Sequence, residues 1–342
     1  MNYYAGVDLH KKFSVFTIKN GEGDLVKQEK ITNNREELLR FIKQFEKVKL
    51  AVEATFNWAW FSDICDEENV PLVLSHPLKT RAIASAKIKT DKIDSNILAD
   101  LLRVNLLPKS YRFTKEERAL KDILRYRIAL VRYQTSLKNR VHAILHKHNI
   151  QIPATDIFGK LGKKICLSQS LPPIYQKMLN RYLFLTEVIA LEIVGAENIA
   201  DEEFKKHNLF DDLKRLMTIP GVGKFTAMMI LAEIGNIKRF KNAKALSSYV
   251  GIIPSVYQSG ETRRSGSITK EGTAYLRWAL IQSAHKSVIQ KSHLASFYRR
   301  LKKKDKKKAK VAVARKILVA AYHILTKKAE FKNPGKPAIL SG

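Results

Sequence analysis

The chain has 342 residues, 45% of them apolar, and its 62 basic and 32 acidic side chains give a net charge of +30 at pH 7. At roughly 150 residues per domain this length predicts about two domains, and the apolar fraction excludes a generally disordered chain. No apolar run reaches the ~18 residues of a membrane span, because acidic residues interrupt the best candidate, Leu183 to Val194. Two distant cysteines, Cys65 and Cys166, form neither a disulfide framework nor a metal knuckle, which fits a reducing cytoplasm.

The first hundred residues alternate short strands and helices. The predicted strands are residues 3–9, 13–19, 24–31, 49–54 and 71–75, and the predicted helices between the later strands are residues 34–46 and 58–69. The first three strands form a meander, and helix-strand alternation follows. This order is expected of a ribonuclease H-like (RuvC-like) α/β sheet, in which strands one and four are neighbours.

Four carboxylates in this first segment form the candidate catalytic centre. Asp8 ends the first strand, Glu53 ends the fourth, and Asp91 and Asp94 open a helix three residues apart, a spacing that places both on one helix face. Acids at neighbouring strand ends and an i, i+3 pair can converge on hard cations, which require oxygen ligands. The pattern therefore predicts one or two Mg²⁺ ions that act on a phosphodiester. The structural alternative is that Thr90 or Asp91 caps the helix while Asp94 lies in its first turn.

The middle of the chain predicts two long helices. Residues 115–149 carry apolar side chains at the helical period with basic residues among the polar positions, and a second helix over about residues 174–194 is its expected antiparallel partner. The Pro- and Gly-containing stretch 151–173 connects them. The pair is interpreted as a structural hairpin or dimerisation arm, or as a basic face that follows nucleic acid, and the two roles are compatible.

Near residue 216 the sequence resembles a helix-hairpin-helix. An apolar helix end precedes Pro220-Gly221-Val222-Gly223, and a new apolar helix begins near Lys224. Glycines allow the turn to take positive φ angles and let its backbone N–H groups face a phosphate. We therefore count Gly221, Gly223 and Lys224 as candidate nucleic-acid contacts. An ordinary tight turn between helices is the alternative.

The positive charge is concentrated toward the C-terminal end. Residues 211–342 carry 28 basic and 7 acidic side chains, a net +21, whereas residues 1–110 carry a net +2. In a folded protein this excess indicates binding to a phosphate backbone, with a membrane surface as the weaker alternative. The run 299–308, which includes Lys302, Lys303 and Lys304, is either a solvated flexible segment or a sequence-blind phosphate contact, and a packed helix is predicted after it, over residues 309–326.

Several motifs together resemble one protein family, the DEDD insertion-sequence transposases, which are related to the Piv DNA invertases and include the bridge-RNA-guided recombinases. The resemblance covers about residues 3–326. The N-terminal motifs are residues 7–12, 52–55 and 89–94, the last followed by 97–102, and the C-terminal motifs are residues 220–223, 249–254, 258–260, 268–272, 276–277 and 311–316.

This resemblance implies roles for particular residues. It implies that Asp8, Glu53, Asp91 and Asp94 bind metal, and that Ser259 attacks a DNA phosphate and becomes covalently attached to it. From the residues alone, Ser259 is a loop serine without an adjacent histidine base. Nearby candidate phosphate contacts, which solvated loop charges would equally explain, are Arg263, Arg264 and Lys270, and Arg277 of the C-terminal motifs is a further candidate nucleic-acid contact.

The resemblance also implies the partners. They are donor and target DNA, a structured noncoding guide RNA that selects the sites by base pairing, and further copies of the chain in a dimer or tetramer. A prokaryotic cytosol or nucleoid is the corresponding location.

The sequence thus predicts a chain of α/β plus mostly α class in three parts. They are an RNase H-like catalytic domain (residues 1–110), a helical coiled-coil arm (111–205), and a helical C-terminal domain with the helix-hairpin-helix and the serine motif (206–342). Two other functions remain open: a metal-dependent nuclease of the Holliday-junction type that uses water, and a non-catalytic nucleic-acid-binding protein.

Overall fold

The protein was analysed as a computed structural model that describes residues 1–55, 57–84, 90–259, 262–290 and 292–332. The chain divides into two compact units, Met1–Lys115 and Glu116–Gly342. This division lies close to the boundary predicted after residue 110, and the boundary predicted after residue 205 stays a prediction. Among the described residues, no helix combines the length and the apolar character that crossing a membrane requires.

The first unit is a five-stranded mixed sheet with helices. Its strands are β1 (Tyr3–Leu9), β2 (Phe13–Lys19), β3 (Leu25–Thr32), β4 (Val48–Glu53) and β5 (Leu72–Ser75). Its helices are α1 (Arg35–Ile42), α2 (Trp58–Glu67), α3 (Pro77–Ile83) and α4 (Asp91–Arg103). The strand order is β3-β2-β1-β4-β5, with the first three strands antiparallel and β4 and β5 parallel to β1. This order confirms the predicted meander and the predicted adjacency of strands one and four.

One buried cluster fixes α1 and α2 against the sheet. Val7 of β1 and Phe16 of β2 are 0% exposed, and the centre of the Phe16 ring lies 5.1 Å from that of Phe41 in α1 and 6.1 Å from that of Phe61 in α2. Aromatic pairs at these separations add to the free energy of apolar burial. Helix α1 ends at Ile42, four residues before the predicted end, because the chain turns to bring Phe45 into the same cluster.

The second unit is mostly helical. Its helices are α5 (Lys115–Lys147), α6 (Lys160–Leu167), α7 (Pro173–Lys206), α8 (Phe210–Met217), α9 (Lys224–Ile234), α10 (Ala243–Val250), α11 (Ala274–Ser287), α12 (His293–Leu301) and α13 (Lys306–Lys327), and its two strands are β6 (Pro254–Ser259) and β7 (Thr262–Ile268). The α/β and mostly α classes predicted for the two parts are therefore both present.

Helices α5 and α7 lie antiparallel to each other. Arg127 Nη2 is 2.8 Å from Glu197 Oε1, and Lys147 Nζ is 2.6 Å from the Tyr175 hydroxyl, so early residues of α5 meet late residues of α7 and the reverse. Helix α7 runs twelve residues beyond its predicted end at residue 194. Its continuation keeps a buried face, marked by Ala196, Ala200 and Phe204.

The opposite face of α7 carries an exposed apolar stripe. Leu191 is 74% exposed, and the whole stripe consists of Ile174, Met178, Phe184, Leu185, Val188, Leu191, Val194 and Ile199. Scattered exposed apolar residues are ordinary, whereas eight of them on one side of a long helix form an extended apolar surface.

A buried carboxylate links α5 to α9. Glu233 is 1% exposed, and its Oε1 accepts hydrogen bonds from Arg125 Nη2 at 2.7 Å and Nε at 3.0 Å. Lys121 Nζ lies 3.8 Å from Oε2 of the same carboxylate, and burial lowers the pKa of Lys121 to about 8. A buried acid with two cationic neighbours avoids the large free-energy cost of an unpaired charge.

The basic run 299–308 covers the end of one helix, a four-residue connection and the start of the next helix. Helix α12 ends at Leu301 and α13 begins at Lys306. The Asp305 side chain caps α13 by accepting hydrogen bonds from the backbone N–H groups of Lys307 and Lys308, at 2.7 and 2.9 Å. Such a cap fixes the start of the helix, which begins three residues before the predicted position.

Candidate functional site

The register of two parallel strands brings Asp8 and Glu53 to one edge of the first unit's sheet. In the β1–β4 pair Val7 lies opposite Val52, so the next residue on each strand is an acid. Neighbouring strands lie about 4.8 Å apart. Asp8 and Glu53 therefore occupy equivalent positions at the carboxyl ends of adjacent strands.

Helix α4 lies in direct backbone contact with β1 at Gly6. A Cβ on Gly6 would lie 1.9 Å from the Ser95 carbonyl oxygen and 2.5 Å from the Ala99 nitrogen, so no other residue fits there without displacing the helix. A hydrogen bond of 2.7 Å between the buried Thr17 and Ser95 hydroxyls fixes the same contact. This close approach brings the first turn of α4 to the edge that carries Asp8.

Two further polar contacts fix α4 along its length. Lys19 Nζ donates to both oxygens of Asp100 at 2.7 Å, and the Gln28 side-chain amide donates to the Lys92 carbonyl at 3.1 Å. The Lys19 side chain is only 11% exposed, which strengthens its ion pair relative to a fully solvated one. Strands β2 and β3 therefore help to set the position of α4.

Asp8, His10 and Asp91 meet at this edge. His10 Nε2 is 3.1 Å from Asp8 Oδ2 and 3.3 Å from Asp91 Oδ2. One ligand atom from each residue lies within 4.8 Å of the others, as in a site for a metal ion. The sequence pattern did not single out His10, although this residue stands two positions after Asp8, directly after β1.

The backbone around His10 is fixed by hydrogen bonds. Its carbonyl accepts from the side-chain amides of Asn33 at 2.6 Å and Asn57 at 2.5 Å, and its own N–H donates to the Phe13 carbonyl at 3.0 Å. The His10 and Phe13 rings lie 4.7 Å apart. The imidazole is thus held over the acids by an ordered turn between β1 and β2.

The surroundings of Asp8 disfavour its negative charge. Burial raises the pKa of Asp8 from its usual value, the nearby charges of Asp91 and Asp94 raise it further, and His10 opposes the rise. Burial and like charges both oppose ionisation, and a bound cation offsets both. The two carboxylate oxygens suit Mg²⁺, whereas an imidazole nitrogen is more typical of a transition-metal site.

The capping interpretation of residues 90–94 is confirmed, with Asp94 in the first turn of α4. Thr90 is the N-cap of α4, and its hydroxyl accepts a hydrogen bond from the Ile93 N–H at 3.3 Å. Because Thr90 provides the cap, the Asp91 carboxylate contacts His10 instead. Lys89, the first residue of the quoted motif, lies outside the described residues.

The four predicted acids are not equally close. Asp94 acts on Asp8 through its charge, and Glu53 is adjacent to Asp8 through the strand register. The group with ligand atoms within 4.8 Å of one another contains neither Asp94 nor Glu53. Of the four predicted acids, Asp8 and Asp91 are the two in this group.

In the second unit, the two glycines of the turn at residues 220–223 have different surroundings. Gly221 has φ of 86°, and a Cβ there would lie 2.5 Å from the Ser283 carbonyl oxygen and the Ser287 nitrogen of α11. Gly223 is the N-cap residue of α9 and has open space where a Cβ would stand. Gly221 therefore serves close packing of the turn on α11, whereas Gly223 faces open space.

Two of the candidate cationic contacts have partners within the protein. Lys224 forms a salt bridge with Asp201. Arg277 Nη1 donates to the carbonyls of Val250 at 2.9 Å and Gly272 at 2.5 Å, and burial lowers the pKa of Arg277. Arg277 fixes the chain on either side of the β6–β7 hairpin, which is a structural role that a motif match does not distinguish from nucleic-acid binding.

Ser259 ends a strand, so its expected placement in an irregular loop is wrong. The β6–β7 hairpin pairs Ser259 with Thr262 and Gln258 with Arg263 in antiparallel register. The residues that join the strands, Gly260 and Glu261, and the side chains of Ser259 and Arg263 lie outside the described part of the structure. The serine thus stands next to the tip of a two-stranded sheet.

The remaining candidate cations whose side chains the structure describes are exposed. Arg264 lies opposite Tyr257 in the hairpin, and Lys270 follows it with a φ of 58°. Lys302, Lys303 and Lys304 are exposed in the turn between α12 and α13. These side chains are accessible to a polyanion.

Two family models match the chain. The DEDD transposase model for IS110-type elements, described as "Transposase", matches residues 5–150, and the model described as "Transposase IS116/IS110/IS902 family" matches residues 213–299. The first match contains the Asp8–His10–Asp91 cluster, and the second contains the turn at 220–223 and the β6–β7 hairpin. The predicted family resemblance is confirmed.

Individual proteins similar to this chain carry related descriptions. The transposase for insertion sequence element IS1328 of Yersinia enterocolitica is 30% identical over 176 residues, half of each chain. The transposase for insertion sequence element IS1111A of Coxiella burnetii is 23% identical over 279 residues, 77% of this chain and 73% of the relative. The pilin gene-inverting protein of Moraxella bovis is 34% identical over 122 residues, 34% of this chain and 37% of the relative.

Proposed function

Because this chain belongs to the IS110-type DEDD transposases, we propose that it recombines the DNA of an insertion sequence by phosphoryl transfer. The observation that carries the proposal is the Asp8–His10–Asp91 cluster at the strand edge, within the segment that matches the DEDD transposase model. The net charge of +21 over residues 211–342 supports a nucleic-acid substrate. The similarity to transposases and to a gene-inverting protein favours rearrangement of DNA over its degradation. Its place of action is the prokaryotic cytosol or nucleoid.

The proposed architecture assigns a role to each part of the chain. The strand order β3-β2-β1-β4-β5 supports an RNase H-like catalytic domain. The antiparallel α5–α7 pair supports a coiled-coil arm, and the turn at 220–223 between α8 and α9 supports a helix-hairpin-helix. In this assignment Gly223 is the turn residue available to a phosphate, while Gly221 is required for packing.

We assign Asp8, Glu53, Asp91 and Asp94 as the residues that hold one or two Mg²⁺ ions, with His10 beside them. When bound, such an ion neutralises these carboxylates and stabilises the charge that develops on the phosphate. The protein contributes the closeness and partial burial of Asp8 and Asp91, which the raised pKa of Asp8 reflects. A close group of acids on rigid elements is the expected form of such a site.

Ser259 is the proposed nucleophile. Its oxygen forms a bond to a DNA phosphorus while the bond from that phosphorus to the leaving deoxyribose oxygen breaks. The serine gives up its proton and the leaving oxygen gains one, so one phosphodiester replaces another. The energy of the phosphodiester bond is retained for rejoining the strands, whereas hydrolysis by water would lose it. The position of Ser259 next to a hairpin tip supports this role.

We propose a guide RNA and self-association as further properties. A protein rich in backbone-binding charge can leave sequence recognition to base pairing. The exposed stripe on α7 supports association of copies into a dimer or tetramer, since an obligate interface requires extended apolar area. The RNA that copurifies with the protein, sequenced and compared with DNA flanking its gene, identifies the guide and the substrate.

The decisive experiment compares Ser259→Ala and Asp8→Asn with the wild type on DNA from the flanks of the gene, with copurified RNA and Mg²⁺. We expect a covalent protein–DNA adduct on a denaturing gel for the wild type and no adduct or recombinant product for either variant. Ser255→Ala, in the same hairpin, is the matched control and retains both.

Two results contradict the proposal. Cleavage that persists in Ser259→Ala, without an adduct in the wild type, identifies a metal-dependent nuclease that uses water. Recombination that is unchanged in Asp8→Asn shows that this acid is not catalytic.

A further inference from the structure

The second unit contains a groove of about 620 Å³ between the β6–β7 hairpin and α13. One wall is formed by the C-terminal end of β7, with Gly266 and Ile268, and by Ile252 just before β6. The other wall is one face of α13. The groove therefore includes part of the hairpin that carries Ser259. Gly266 lies four residues, about 13 Å along β7, from Thr262, the residue that pairs with Ser259.

The α13 wall has a mixed character set by helical spacing. Val311, Ala312, Arg315, Lys316 and Val319 line the groove and follow one face of the helix. On the opposite face, the buried residues Val313, Ala314, Ile317 and Leu318 fix the helix in the core. The groove face is thus held rigidly and alternates small apolar side chains with cations.

The charge of the groove favours an anion. Four cations line it, Lys307, Lys308, Arg315 and Lys316, and the described lining residues include no acid. Phe297 also lines it, and Lys316 Nζ lies 5.5 Å from the centre of its ring. Apolar walls with a cationic rim suit a ligand that joins a flat apolar body to a phosphate.

We propose that this groove binds one unpaired nucleotide of the DNA strand that is cut, with its base between the apolar walls and its phosphate against Arg315 and Lys316. A base in a duplex is stacked and paired, whereas an unpaired base exposes the faces that apolar and aromatic side chains bind. The volume lies within the range of small-molecule sites. This inference rests on one part of the proposed function, namely that the protein binds a DNA strand at the hairpin that carries Ser259.

The test measures binding of a DNA hexanucleotide that contains 2-aminopurine, and of a blunt DNA duplex, without divalent cations so that cleavage chemistry has no influence. Ala312→Leu/Val319→Leu fills the groove from two partly exposed positions. We expect about tenfold weaker binding of the hexanucleotide, less than twofold change for the duplex, and loss of the 2-aminopurine fluorescence change seen with the wild type.

A pair of charge variants completes the test. We expect Arg315→Gln/Lys316→Gln to weaken hexanucleotide binding and to lower its salt dependence. The control, Lys310→Gln/Lys327→Gln, removes equal charge from the same helix outside the groove lining, and we expect it to weaken binding less. Equal effects of the two double variants, or an unchanged affinity after the groove is filled, overturn the proposal. If the RNA hexanucleotide of the same sequence binds more tightly than the DNA hexanucleotide, and this binding depends on the groove, the assignment of the groove to DNA is overturned. Since binding is measured without cleavage, failure of the serine mechanism leaves this result interpretable.

Discussion

Gly6 and Ser95 are in backbone contact, with 1.9 Å between the place of a Gly6 Cβ and the Ser95 carbonyl oxygen. A methyl group at Gly6 must push α4 away from β1, and overpacking of this kind typically costs 1–3 kcal/mol. We expect Gly6→Ala to lower the free energy of unfolding of the protein in urea by about 3 kcal/mol. Gly21→Ala, which has no atom within 4 Å of its new Cβ, is the control and stays within about 0.5 kcal/mol.

Asp8→Asn is expected to stabilise the protein without metal and to remove its response to metal. The native state binds the Asp8 proton more tightly than the unfolded state, so this group's contribution to stability falls as pH rises through its raised pKa. At pH 7 the neutral amide avoids that loss, and we expect a rise in melting temperature on the order of 2 °C.

The same experiment with added Mn²⁺ or Mg²⁺ tests the metal centre. The wild type should gain stability with increasing cation concentration, and Asp8→Asn should not. Glu22→Gln, an exposed carboxylate in the β2–β3 turn, controls for the change of charge and should behave as the wild type. A cation-induced shift that survives in Asp8→Asn contradicts the assignment.

Because of Lys121, we expect the free energy of unfolding of the second unit to rise at alkaline pH. Its pKa in the native protein is about 8, below the usual value of 10.5, so between these values the unfolded state binds more protons and the free energy of unfolding rises with pH. We expect Lys121→Met to remove a rise of about 1 to 3 kcal/mol between pH 8 and pH 10.5, measured by urea denaturation. Lys177→Met, at an exposed position of α7, should retain the full rise.

The apolar stripe of α7 predicts a defined assembly. Val188→Glu/Leu191→Glu places two charges in it, and a desolvated carboxylate strongly opposes an apolar interface. We expect this variant to sediment as a monomer at concentrations where the wild type is a dimer or tetramer. Ser136→Glu, on an exposed position of α5, is the control. Equal masses for wild type and double variant contradict a role of the stripe in assembly.

Strong local patterns made much of the fold predictable. The first two strands have the predicted bounds, Tyr3–Leu9 and Phe13–Lys19, because their β-branched and aromatic residues are bounded by polar turns. The β6–β7 hairpin was not predicted, since Arg263, Arg264 and Gly266 have no apolar alternation. Helix α7 was predicted too short because Gly195 interrupts its pattern, although Ala196, Ala200 and Phe204 continue the buried face.

The candidate site was predictable in its acids and not in its contacts. Strand order alone places Asp8 beside Glu53, and helical spacing relates Asp91 to Asp94. The contact of His10 with Asp8 and Asp91 depends on how α4 packs against β1, which spacing along the chain does not determine. For the same reason a motif match could not reveal that Arg277 and Lys224 already have partners in the protein.

The contact between Gly6 and α4 also has a consequence during synthesis. A nascent chain that has emerged only as far as β4 already carries Asp8, His10 and Glu53, yet Asp91 is supplied by a helix that ends at Arg103. The ribosome must therefore release about fifty more residues before the acids can meet. Truncated translation products that stop before α4 lack Asp91 and Asp94, so they do not carry the complete set of proposed metal ligands.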